Sequence, residues 1–148
     1  MGPGTQASCG PTAVSNILAL YGNNTSRKTI AQSLIKNEDI SGSFIRGFTS
    51  IFDEKGKDIF LLSELKYELN RRGFNAVVFT GTDKQCRSWI KAFDKAGYSG
   101  ISLSWKRGTI DGHYEAFPPV SNVGKLYGSN AYITDIIIIN PSKTRFPG

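Results

Sequence analysis

The chain carries one histidine, His113, and two cysteines, Cys9 and Cys86. So few soft ligands exclude whole classes of chemistry. The cysteines are not spaced as C-x-x-C, and a single imidazole gives zinc little to hold, so no metal cofactor is expected. At most one disulfide can form. Long apolar runs are also missing. The run Ile136–Ile139 is four residues, against the ~18 that suggest a membrane span. No charged, apolar, small-residue leader opens the chain, so neither a secretory signal nor a membrane span is expected. No block of about five or more like charges appears either.

What is present fits one domain, 1–148. A chain of 148 residues with 39% apolar residues can bury a core, but is too short for two. The net charge is +6. This excess is spread over Arg27, Lys28, Arg71, Arg72, Lys91, Lys106 and Arg107, as on a solvated cationic surface. The same charge would attract an acidic protein, a membrane surface or nucleic acid. Basic residues are not interleaved with aromatics, which argues against nucleic acid.

Hydrophobic spacing predicts four helices. The first runs from Gly10 to Tyr21, with Pro11 in its opening turn and Gly22 as its stop. The second covers Arg27 to Ile35 and the third Leu61 to Arg72. The fourth is opened by Thr82 and Gln85 as a capping box and ends near Gly97. Strands are predicted at Phe74–Phe79, Ile101–Trp105, His113–Phe117 and Ala131–Ile139. Asn37–Lys57 reads as a long loop with a short helix near Phe44, and Ser121–Asn130 as a polar loop. Helices ahead of an antiparallel sheet indicate an α+β fold.

The chemistry is expected at Cys9, just ahead of the first helix. Orphan N–H groups and the positive end of a helix dipole favour a thiolate, which is the nucleophilic form. Set against this is a small buried thiol with only a packing role, the role expected of Cys86 beside Trp89, Ile90 and Phe93. A nucleophilic cysteine needs a base, and His113 is the sole candidate. It needs a group to orient that base. Asn140, at the end of the last strand, would serve if that strand lies beside the one bearing His113. Asp135 competes from mid-strand. Oxyanion donors would be the Cys9 N–H and the Gln6 side-chain amide.

The segment Gln6-Ala7-Ser8-Cys9-Gly10-Pro11-Thr12, continuing to Tyr21-Gly22, resembles the nucleophile helix of the bacteriocin-processing (double-glycine leader) peptidases and their papain-like relatives. Gly112-His113-Tyr114 resembles their histidine strand, and Ile139-Asn140-Pro141 their strand-ending Asp-Pro. The order is kept over nearly the whole chain. Gln6 stands closer to Cys9 than is usual there, and Asn140 replaces the Asp of the leader peptidases.

The resemblance implies a papain-like fold with the nucleophile on the first helix. It implies cofactor-free cleavage of a peptide or amide bond in a protein or peptide substrate. By the same carry-over Cys9 is nucleophile, His113 base, Asn140 orienter and Gln6 oxyanion residue. An alternative keeps the fold as a glutamine deamidase or transglutaminase effector. That would be a toxin module of a larger or secreted bacterial protein, met by an inhibitor or immunity protein. A further alternative is a non-catalytic binding module on the same scaffold.

Overall fold

The computed structural model describes residues 9–36, 61–109, 112–118 and 131–140. Helix α1 (Cys9–Leu20) and helix α2 (Arg27–Lys36) come first, then α3 (Leu62–Arg71), strand β1 (Ala76–Thr80) and α4 (Asp83–Lys95). Strands β2 (Ser99–Lys106), β3 (Gly112–Phe117) and β4 (Ala131–Ile139) follow. The α+β expectation is met: the described residues form four helices and a four-stranded antiparallel sheet of order β1-β4-β2-β3. Gln6, the segment around Phe44, and the loops Asn37–Lys57 and Ser121–Asn130 lie outside the described residues.

The helix ends follow local chemistry. Gly22, Gly73 and Gly97 all take positive φ just past a helix, the left-handed conformation that glycine adopts without steric cost. Thr82 and Gln85 form the expected reciprocal cap on α4: the Gln85 amide donates to Thr82 Oγ1 at 3.2 Å, and the Thr82 amide to Gln85 Oε1 at 3.0 Å. On α3 half of that arrangement suffices, with the Leu61 amide donating to Glu64 Oε1.

Two cores flank the sheet. Val14, Ile17 and Leu18 of α1, Ile30 of α2 and Leu65 and Leu69 of α3 pack on Ile101, Leu103, Tyr114, Ala116, Ile137 and Ile139. On the opposite face Cys86 packs with Phe117, Ile133, Ile136 and Ile138, beside Trp89, Ile90 and Phe93 of α4. Alternation along the strands sorts these side chains to their faces. Cys86 is the buried structural thiol expected, with its sulfur 3.7 Å from the Gly81 carbonyl oxygen. Both cysteines are free.

A carboxylate holds the helical layer together. Glu68 of α3 is fully buried and accepts from Arg71, Arg72 and Ser33, the last on α2. Its charge is matched by the two guanidinium groups, which offsets the cost of taking it out of water. Among the described residues no helix is long and apolar enough to cross a membrane.

Candidate functional site

Cys9 is the first residue of α1, and β3 is an edge strand of the sheet. The two meet closely. The amide of Tyr114 donates to Cys9 Sγ at 3.4 Å, so that N–H points out from the sheet edge rather than to β2. Glycine at position 10 permits the approach. A Cβ there would lie 3.2 Å from Leu65 Cδ2 and 3.5 Å from Tyr114 Cδ2. The Cys-Gly pair thus lets the helix tip settle between α3 and β3, with the sulfur against the peptide bond joining His113 to Tyr114.

His113 faces Ser104 across the β2–β3 pair, and Ser104 Oγ donates to its carbonyl oxygen at 3.4 Å. The residue is 8% exposed, and its Nδ1 is fully buried. Burial pushes the imidazole pKa below its usual value, because a charged ring would lose its hydration. At neutral pH the ring is therefore a neutral base.

The thiol behaves differently from the expectation. Burial raises the Cys9 pKa to about 11, outweighing backbone hydrogen bonds from Tyr114, Gly10 and Cys9 itself that pull it down. The donors expected at a helix tip are present, but desolvation of the sulfur wins. The helix tip therefore carries a protonated thiol in place of the resting thiolate expected.

Asn140 does not reach His113. The expectation required β4 to lie beside β3. Instead β2 intervenes, paired antiparallel to both, so β3 and β4 run parallel. His113 shares a row with Ser104 and Ile133. Asn140 comes seven residues after Ile133 (140 − 133), about 20 Å away along the strand direction. The third position of a triad is not filled from this residue. Asp135 is also separated from β3 by β2, and its carboxylate accepts from Thr80 Oγ1 and Thr134 Oγ1.

No family model, curated protein or solved structure matches the chain.

The site is therefore defined by its own geometry: Cys9, His113 and the Tyr114 amide, walled by Gly10 and Leu65. Among the described residues no group of three or more His, Cys, Asp or Glu side chains gathers as a metal site. Two features go beyond the sequence reading, which weighs Asp135 only as a competing orienter of His113. The Tyr114 amide, a backbone donor, leaves no side-chain signature. The polar pair Thr134-Asp135 was legible, since it interrupts an otherwise apolar strand, and it marks a β-bulge where Leu103 pairs with Asp135 and Ser104 with Ile133.

Proposed function

We propose that the chain is a thiol-dependent hydrolase of papain-like type, cleaving a peptide or related amide bond with Cys9 as nucleophile and His113 as base. The observation that carries this reading is the Tyr114 amide on Cys9 Sγ. It sets a helix-tip sulfur against the backbone of the chain's sole histidine.

The raised thiol and lowered imidazole pKa values favour one order of events. Proton transfer accompanies attack, as in a serine–histidine pair, because the thiol is not ionised beforehand. As Cys9 Sγ bonds to the substrate carbonyl carbon, its proton passes to His113. The C–N bond then breaks, with the amine leaving on that proton. Water, deprotonated by His113, attacks the resulting thioester and frees Cys9. The N–H groups at the α1 tip are suited to receive the developing oxyanion.

One observation favours a second reading. Cys9 is only 4% exposed and belongs to the hydrophobic core, as a purely structural thiol would on a non-catalytic binding module. Incubation with peptide mixtures and mass spectrometry separates the two. Backbone scission lost in Cys9→Ala supports the hydrolase, and conversion of glutamine to glutamate without scission would redirect it to the deamidase branch. Unchanged peptides support the binding module.

A further inference from the structure

The packing around the start of β3 offers a means of placing His113 through its own strand. Trp105 lies directly across from Gly112, the residue before His113. Its indole covers that glycine: a Cβ on Gly112 would be 3.1 to 3.4 Å from Cζ3, Cε3 and Cη2 of the ring. The ring is held from its far side. Trp105 Nε1 donates to Thr134 Oγ1 at 2.8 Å, and Thr134 Oγ1 donates to Asp135 Oδ2 at 2.7 Å. Thr80 Oγ1 donates to the other carboxylate oxygen.

The direction of this chain is fixed. An indole N–H only donates and an ionised carboxylate only accepts, so the Thr134 hydroxyl between them has one possible orientation. Charge-assisted bonds at the carboxylate end are the strong kind. The bulge on β4 brings Thr134 into position for this role.

We propose that Trp105, anchored through Thr134 to Asp135, is the positioning residue for His113, setting the start of β3 so that the imidazole meets Cys9. This rests on the Cys9–His113 reading. Asp135, a candidate for direct contact with the ring, acts instead through two intermediaries. Gly112 is part of the device, since a Cβ there would press on the indole and require it to give by a few tenths of an ångström.

The single histidine makes the test direct, because ¹⁵N-labelled full-length chain gives one imidazole spin system. Trp105→Phe and Thr134→Val should shift the imidazole nitrogen resonances and lower the rate at which a thiol-directed electrophile labels Cys9 by about tenfold. Thr134→Ser, which keeps the hydroxyl, should restore both. Peptide mapping separates Cys9 from Cys86. A folded Thr134→Val chain with wild-type imidazole resonances overturns the proposal. If that variant does not fold, Trp105→Phe decides by the same readout. Labelling of Cys9 that is indifferent to His113→Ala would defeat the Cys9–His113 reading, while the resonance shifts would still report on positioning.

Discussion

The sulfur of Cys9 sits 3.4 Å from the amide nitrogen of Tyr114, so the tip of the first helix is joined to the edge strand that carries His113. Residues more than a hundred positions apart in sequence meet there because β3 is an edge, with an outward amide to offer. The consequences of this contact and of the surrounding fold can be measured.

Asn140→Ala should leave turnover within about twofold of wild type, because its side chain lies about 20 Å from His113 along the strand direction. Steady-state kinetics on a substrate identified by peptide screening checks this. A loss of two orders of magnitude would mean that the strand order in solution differs.

Stability should depend on pH through both site residues. Burial keeps Cys9 protonated up to about pH 11 in the folded chain, whereas a thiol in the unfolded chain ionises near its ordinary value of 9.0. Its contribution is complete below pH 9 and lost between about 9 and 11, a change of about 3 kcal/mol. Tyr114, whose buried phenol is also pushed upward, adds to the alkaline loss. The lowered His113 pKa acts at the other end. Below about pH 6.5 the unfolded chain takes up the proton more readily, so stability falls with pH. Urea midpoints across this range should fall on both sides, the alkaline fall being reduced in Cys9→Ala and the acid fall in His113→Ala.

Gly100→Ala should destabilise the fold by about 3 kcal/mol. A Cβ at this position of β2 would lie 2.1 Å from the Ile137 carbonyl oxygen and 2.4 Å from the Phe117 ring. Neither the central β4 backbone nor the packed ring can retreat cheaply. Thermal unfolding of the variant provides the check, and an unchanged midpoint would contradict the close approach of β2 and β4.

Much of this architecture was legible because it is local. Pro11 and the apolar spacing of Val14, Ile17 and Leu18 define α1, and Thr82 with Gln85 opens α4 as expected. Strand order is a different matter. Nothing in the residues of β3 or β4 says that β2 lies between them, and its antiparallel pairing with both is what separates Asn140 from His113. The thiol pKa was misjudged for a related reason. A helix tip is visible in sequence, but the packing of Leu65 and Tyr114 around it is not. The ladder from Trp105 to Asp135 depends on a bulge, whose register emerges only when both strands are in place.

The most direct measurement is the pH profile of hydrolysis for wild type, Cys9→Ala and His113→Ala. Both substitutions should reduce kcat/KM by about three orders of magnitude or more with the fold retained. Wild-type activity should be lost in acid as His113 protonates, further into acid than an ordinary imidazole would require because burial lowers its pKa, with no requirement for a thiolate formed in advance. Full hydrolysis by either folded variant would contradict the account, and Cys9 would then be a packing residue at the end of a helix.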